Sequence, residues 1–547
     1  MKIWRILLLL IGLIGLTLNA TVGAPAKKSQ AAPKRWNIIS IVTDDQAMNS
    51  IGAYGNKEVV TPNMDRLARE GVRFTNAFAC SGVCLPSRVG FLTGLFPTQV
   101  GLTDVYATAG WDTYGLPLGV PTWPRVLKQH GYVTGLIGKW HLGRTMEFYP
   151  TNYGLDYFFG FLRGTNFPMN PVLMRDGKIS TIPGSTPDIL VDDAMSFIDK
   201  HKAEPFALML HFREPHLPYG PLPEADSAPF KDLDPTVPLL KEIEFDYLSA
   251  GRVENNESIV YVREDKAASD SLVKYLKGFT RAYYASIHSV DRNLGRLLAK
   301  LQELNLDDNT IILFSSDQGY LLGKYGMREK GAAVPVRMGA FALSGVAGLP
   351  FVHINMYDYS YRIPFLVRWP GVVKPGTVIE DFVSNIDAFR SILGMLNIPV
   401  PEGVPLQGMD FSPLLRGEKV SWRDAVFAQY DSTQVGNFEL IRMVRTKKWK
   451  LVRTYLNPGG NVLINLENDP EERKNLYYQI PESRDVYKDH GQVMTGIHPY
   501  AEIRDELQKR LTEWQRSIND PALVLEKTYD DAIKAARETW KKRIPEK

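Results

Sequence analysis

Asp44, Asp45, Asp317 and Gln318 offer hard oxygen donors, and Arg88, Lys139 and Lys330 offer cations. Carboxylate and amide oxygens of this kind suit calcium, or magnesium keeping more of its waters, rather than zinc. The cations suit an anionic substrate, and His141 and His216 add groups that give or take a proton. Together they describe a site for a tetrahedral oxyanion ester, where fixed positive charge meets negative charge developing on the ester oxygens. Each residue also has a plain alternative. Paired Asp is common at helix caps and turns. Lys139 and His141 fit a solvated loop, His216 near two prolines fits a rigid turn, and Asp317 before Gln318 and Gly319 fits another turn.

Position separates the two readings. The run at 37–43 (NIISIVT) is apolar and β-branched, as a buried central strand requires, and it ends at Asp44 and Asp45. A strand predicted at 132–137 runs into Lys139 and His141 within GKWHLG. One at 206–212 leads to His216 in REPHLPY, and one at 310–315 (TIILFS) leads to Asp317 and Gln318 in SSDQGY. Helical patterns fall between them. Thr61 and Pro62 open one that Gly71 closes, with cap and first-turn proline in the usual order. Others span 125–130, 188–201 and 272–304. This alternation predicts an α/β sheet with helices on both faces. Ligands of open α/β sheets bind outside the carboxyl ends of the strands, so residues far apart in sequence are expected at one site. The pattern changes near residue 415. Short alternating runs at 425–430, 441–445 and 449–455, then a helix at 500–518, predict a smaller C-terminal α+β subdomain (416–547) with a short antiparallel sheet. That leaves 36–415 as the catalytic domain.

At 547 residues the chain exceeds one ordinary core. A net charge of +3 with dispersed basic residues excludes the basic stripe of a nucleic-acid binder. Lys2 and Arg5, a mostly aliphatic run at 6–18, and small residues at Ala20, Gly23 and Ala24 read as a signal peptide over 1–24. Residues 25–35 read as a linker. The aliphatic run falls short of the roughly 20 residues a bilayer span takes. A secreted or periplasmic protein is expected, with no stable membrane insertion after signal cleavage; an uncleaved anchor is the alternative. Cys80 and Cys84 are too few for a disulfide framework, and a bridge between them is the structural alternative to chemistry at either.

The segment at 84–94, CLPSRVGFLTG, resembles the signature of the type I, formylglycine-dependent sulfatases of the alkaline phosphatase superfamily: C-x-P-S-R, a short helix, then T-G. Cys84, Pro86, Ser87, Arg88, Thr93 and Gly94 fall in register with it. The paired Asp, GKWHLG, Pro215-His216, and SDQG followed by Lys330 are similar to further motifs of that family, in its order. So are GLDYFFG (154–160), YRIPFLVRWPG (361–371) and NDPEERKNL (468–476). The resemblance implies a large mixed β-sheet sandwiched by helices, alkaline phosphatase-like, and hydrolysis of a sulfuric ester. It implies that a formylglycine-generating enzyme, or an anaerobic sulfatase-maturing enzyme, oxidises Cys84 to formylglycine. Asp44, Asp45, Asp317 and Gln318 would bind calcium together with residue 84. Gln318 stands where the family usually has Asn, sometimes His, so its oxygen lies one methylene further out. Arg88 and Lys139 would hold the hydrated aldehyde and the sulfate oxygens. His141 would help break down the sulfated intermediate, and His216 and Lys330 would face the sulfate and the leaving oxygen. A plain thiol would form an adduct with no easy exit. A geminal diol has one hydroxyl to attack sulfur and a second to expel sulfate while the aldehyde re-forms.

Secretion favours a sulfated carbohydrate, polysaccharide or oligosaccharide, as substrate. Trp111, Tyr114, Tyr219, Tyr357 and Tyr359 are candidates for stacking on sugars. Arg213, Tyr219, Lys324, Arg328 and Asp358 are the candidate substrate contacts, with packing or solvated surface the alternative for each. Residues 331–355 are extra relative to many relatives, and Lys324 and Tyr325 replace a Glu-His pair common there. An insertion beside the pocket shapes substrate access, or merely elaborates the surface. Two other functions compete. A phosphoester or phosphonate ester hydrolase of the same superfamily would use the same tetrahedral geometry. A non-catalytic glycan-binding protein on this scaffold would need Cys84 to remain a thiol.

Overall fold

The computed structural model describes residues 35–105, 114–237, 266–335, 353–434, 437–456, 460–477 and 499–525. The expected signal peptide, the linker up to 34, Trp111 and positions 336–352 of the insertion lie outside these residues.

A ten-stranded mixed sheet carries the site. Its strands run in the order Thr377–Ile379, Val72–Phe74, Phe365–Arg368, Thr310–Ser316, Asn37–Thr43, Phe206–His211, Val133–Lys139, Tyr157–Phe161, Val172–Arg175, Lys178–Thr181. The stretch from Thr310–Ser316 across to Tyr157–Phe161 is parallel throughout. Asn37–Thr43 is buried at every position, which explains its mostly apolar, uncharged sequence. Ile38 and Val42 enter one hydrophobic core while Ile39 and Ile41 enter another, as side chains alternate across the sheet. Helices Pro62–Glu70, Thr186–His201 and Lys266–Glu303 contribute Leu67, Leu190 and Leu294 to the second core. Helices Cys84–Thr93, Trp123–Gln129 and Ala388–Met395 contribute Val89, Leu127 and Ile392 to the first. The result is the predicted sheet with helices on both faces.

Register sets where the strands finish. Val42 pairs with His211 and Ser315, Thr43 with Ser316, and Gly138 with His211. Four neighbouring parallel strands therefore end level, and the chain leaves each of them on the same edge.

Pro62–Glu70 starts where Thr61 and Pro62 predict, but Thr61 does not cap it. The Thr61 hydroxyl instead accepts the Gly52 N–H at 2.9 Å. Asp291, from the long helix, accepts the first-turn N–H groups of Asn63 (3.0 Å) and Met64 (2.7 Å). The cap comes from a distant element, because a carboxylate facing several amides satisfies them better than one local hydroxyl.

Strands Ala425–Gln434, Asn437–Thr446, Trp449–Thr454 and Val462–Asn465 form the antiparallel C-terminal sheet, one strand more than the sequence suggests, and helix Ala501–Ser517 follows. Val426 and Tyr430 share a core with Phe78 and Tyr361, and Leu451 and Trp514 share another with Cys80 and Phe96. Cys80 and Cys84 are both unbridged. Among the described residues no helix is long and apolar enough to cross a membrane.

Candidate active site

Cys84 opens a helix, Cys84–Thr93, in which every residue is buried. Pro86 falls in its first turn, where a missing N–H costs nothing. Gly94 ends it at φ 68°, a left-handed turn that glycine enters without a Cβ clash. Ser87 fixes the helix in place: its hydroxyl donates to the Asp317 carbonyl and accepts from Asn385 Nδ2 at 2.8 Å. Asn385 Oδ1 in turn accepts the Cys80 N–H at 2.9 Å. The C-x-P-S-R spacing thus aims Cys84 and Arg88 at the level edge of the sheet.

Asp44, Asp45 and Asp317 meet there, each buried, with oxygens within 4.8 Å of one another; Asp44, Cys84 and His216 form an overlapping cluster. Asp45 adopts φ 68°, which turns two successive carboxylates toward the same centre. Each acid has its own cation. Lys139 pairs with Asp44. Arg88 reaches Asp317 Oδ2 through Nε at 2.9 Å and Nη2 at 2.8 Å. Lys330 lies 2.5 Å from Asp45 Oδ1 and donates to Cys84 Sγ at 3.0 Å. Burial opposes ionisation of Asp44, but Lys139 and His216 outweigh it and hold the carboxyl well below its usual range. For Asp45 burial wins over Lys330, and the carboxyl rises. For Asp317 burial and the Asp44 charge push it well up, against Arg88. Burial makes these clustered carboxylates costly to ionise even with their cations beside them, a cost that a divalent ion relieves.

The donor set fits such an ion. Gln318 reaches the acids despite its extra methylene: Nε2 contacts Asp45 Oδ1, lies 3.4 Å from Asp44 Oδ1 and 3.8 Å from Cys84 Sγ. Its Oε1 is buried without a hydrogen-bond partner. Turning the amide over places that oxygen among the carboxylates, giving an all-oxygen set suited to calcium.

Around Cys84 the balance is positive. Burial raises its thiol pKa, but Lys139 and Lys330 outweigh burial and bring it to about 6. Cys80, with no such cations, is pushed by burial to about 12 and serves as packing. The two histidines diverge. His216 Nδ1 donates to the Leu217 carbonyl at 2.7 Å and Nε2 faces Asp45 Oδ2 at 3.7 Å. Burial pulls its pKa down, Asp44 and Asp45 pull harder the other way, and it rises. Burial and Lys139 drive His141 well below its ordinary value. One is poised as an acid and the other as a base.

Gly164 stands against His141: a Cβ built there would lie 2.5 Å from His141 Nε2. Gly164→Ala is therefore expected to displace the ring and cut kcat about 10- to 100-fold at near-normal thermal stability. Steady-state rates with a melting curve check this, and a wild-type kcat would show that the ring has room to shift.

Most of the expected substrate contacts are committed to packing. Arg213 has no exposed surface; Nε donates to Glu214 at 3.1 Å and the guanidinium to the Pro218 carbonyl at 2.8 and 2.9 Å. Tyr219 is buried and donates to the Tyr320 hydroxyl at 2.8 Å. Arg328 is buried and donates to the Tyr275 hydroxyl at 2.9 Å. Asp358 pairs with Lys450 at 2.5 Å and Arg445 at 2.9 Å. Lys324, partly exposed, pairs with Glu471 at 2.8 Å and lies 4.9 Å over the Tyr359 ring. Tyr357 stacks on Tyr325 at 4.0 Å, and Tyr114 donates to the Asp104 carbonyl at 3.0 Å. Buried charges require partners, and these side chains find theirs within the fold. Sequence reading also passes over His211 and Asn385. His211 Nδ1 accepts from Arg88 Nη1 at 3.3 Å; its signal was a histidine closing an apolar strand. Asn385 carries no such signal.

The family described as Sulfatase matches residues 36–398, and the one described as N-sulphoglucosamine sulphohydrolase, C-terminal, matches 351–499. The chain is 28% identical to the N-acetylglucosamine-6-O-sulfatase of Bacteroides thetaiotaomicron, over 94% of its own length and 91% of the relative's. It is 28% identical to the ulvan-active sulfatase of Formosa agariphila over 82% and 78%, and 30% identical to the steryl-sulfatase of Mus musculus over 75% and 70%. A solved structure described as a complex with its substrate D-glucosamine-2-N,6-O-disulfate matches with a TM-score of 0.70 at 26% identity, over 89% of this chain and 99% of that one. Similarity of this extent, running through the Cys84 helix and all four strand ends, has one reading: the chain belongs to the sulfatase family and the enzyme is a sulfatase.

Proposed function

We propose that the enzyme removes sulfate from a carbohydrate, using formylglycine made from Cys84 and a calcium ion held by Asp44, Asp45, Asp317 and Gln318. One observation carries this reading: the Cys84 thiol lies 3.0 Å from Lys330 Nζ, on the edge where three buried carboxylates converge. A structural cysteine has no use for those neighbours. Bound calcium would supply Lewis-acid polarisation of the sulfuryl oxygens. The hydrated aldehyde would supply one hydroxyl to form the new ester bond and another to release sulfate.

The chain's own residues do the rest. Arg88 and Lys139, already fixed by Asp317 and Asp44, present positive charge to the oxygens of residue 84 and of the sulfate. One such preorganised donor is typically worth about 3–4 kcal/mol in the transition state. His216, with its raised pKa, and Lys330 stand on the side of the leaving oxygen, where a donated proton lets the sugar depart as an alcohol. His141, kept neutral, accepts the proton that must leave residue 84 when sulfate is expelled.

The carbohydrate reading draws support from the relatives named for N-acetylglucosamine 6-O-sulfate and ulvan. We place the enzyme outside the cytoplasm, exported through residues 1–24 and matured by a formylglycine-generating or anaerobic sulfatase-maturing enzyme. We assign the chemistry to 36–415, with 416–547 as a supporting subdomain. The test is a matured preparation assayed on defined sulfated oligosaccharides, 6-O-sulfated glucosamine derivatives first, beside matched phosphate esters. We expect kcat/KM for the best sulfated glycan to exceed that for its phosphate counterpart by about 100-fold or more. Preference for the phosphate ester would favour the phosphohydrolase alternative, and turnover of aryl sulfates alone would remove the carbohydrate assignment.

A further inference from the structure

Among the described side chains the aromatic rings are packed away, with one exception. Among the described side chains Phe167 is the one aromatic ring in the open, 61% exposed; the other described rings are buried or partly buried. Leaving a phenyl ring in water forgoes the free energy that burial supplies to a packed ring. A single exposed apolar residue means little by itself, but the place of this one is specific. It lies three residues past Gly164, whose backbone abuts His141 Nε2, so the chain keeps it within about 10 Å of that glycine.

The loop is also held firmly. Asn166 Oδ1 accepts the N–H groups of Phe167 (2.8 Å) and Val172 (3.1 Å), and its Nδ2 donates to the Val172 carbonyl at 2.8 Å. Thr186 Oγ1 donates to the Phe167 carbonyl at 2.6 Å. Arg213 Nη1 donates to the Asn166 carbonyl at 3.4 Å and so ties the loop to the segment that carries His216, whose side chain is 24% exposed. The backbone on either side of the ring is fixed, and the loop that carries the ring borders both histidine-bearing segments.

We propose that Phe167 is a stacking platform for a sugar ring of the substrate, outside the centre that handles the sulfate. The proposal rests on the carbohydrate reading above and adds the residue that recognises the sugar. A rigid aromatic face offers broad apolar contact to the C–H face of a pyranose at little entropic cost. The buried cations bind charge, and Phe167 binds shape. Such contact acts equally in the ground and transition states, so it belongs in KM rather than kcat.

The test compares matured wild type, Phe167→Ala and Phe167→Trp on the sulfated oligosaccharide that wild type hydrolyses best. Inhibition by inorganic sulfate monitors the reacting centre. Phe167→Ala is expected to raise KM about tenfold or more with kcat within about twofold and an unchanged inhibition constant for sulfate. Phe167→Trp is expected to keep KM near wild type. A wild-type KM in Phe167→Ala overturns the platform, as does weakened sulfate inhibition, which would mean that the loop and not the ring was lost. If wild type turns over aryl sulfates and no sulfated oligosaccharide, the carbohydrate reading fails and the platform with it.

Discussion

Cys84→Ala is expected to leave a folded protein without sulfatase turnover, kcat falling by about 10⁴-fold or more. The side chain is small and buried, and its sulfur meets polar ends, among them Lys330 Nζ at 3.0 Å and Gln318 Nε2 at 3.8 Å. Little packing is lost, so thermal unfolding should stay near wild type. The chemistry has no substitute, because no other side chain described here stands among both the carboxylates and the cations with a group convertible to a nucleophile. Residual catalysis should come only from the charges that still polarise the ester. Single-turnover and steady-state assays on a sulfated substrate, beside a melting curve, make the measurement. Turnover within tenfold of wild type would remove Cys84 from the mechanism.

Arg88→Ala is expected to damage both stability and activity. Arg88 and Asp317 are both buried, and the guanidinium meets Asp317 Oδ2 through two nitrogens. Removing the cation leaves a buried carboxylate without its partner, a change that costs about 3–5 kcal/mol in comparable pairs. It also removes the donor that orients the sulfate side of the centre, and His211 loses the group its ring accepts from. The urea midpoint, measured with metal chelated, should fall clearly, and kcat should fall about 10²- to 10³-fold with calcium present. Arg88→Lys keeps the charge but not the planar fork, so it should recover more stability than activity. Equal recovery of both would mean that Arg88 acts as charge alone.

The strands of the sheet were legible in the sequence for a physical reason. Asn37–Thr43 and Thr310–Ser316 are buried on both faces, so they are mostly apolar and carry no charge, and a charged residue just past their ends stands out. That is how Asp44, Asp45, Asp317 and Gln318, with Lys139, His141 and His216, could be named together before any geometry. The structure brings them to one edge because the strands end level. Arg213, Tyr219, Arg328 and Asp358 were not legible in the same way. A charged or aromatic residue in a loop has the same letter whether it meets a ligand or a buried partner, and Lys450, the partner of Asp358, lies far along the chain in the C-terminal sheet. Asn385 and Gly164 escaped for a related reason. Asn385 braces Ser87 across 298 positions, and Gly164 matters only through a close approach to His141 that no local pattern records.

The mass of residue 84 tells directly whether Cys84 becomes the nucleophile. The enzyme should be purified in active form, digested, and the peptide containing residues 84–88 measured. A residue about 18 Da lighter than cysteine is expected, as formylglycine requires, in proportion to specific activity across preparations. Full sulfatase activity from protein whose Cys84 is unmodified would contradict it.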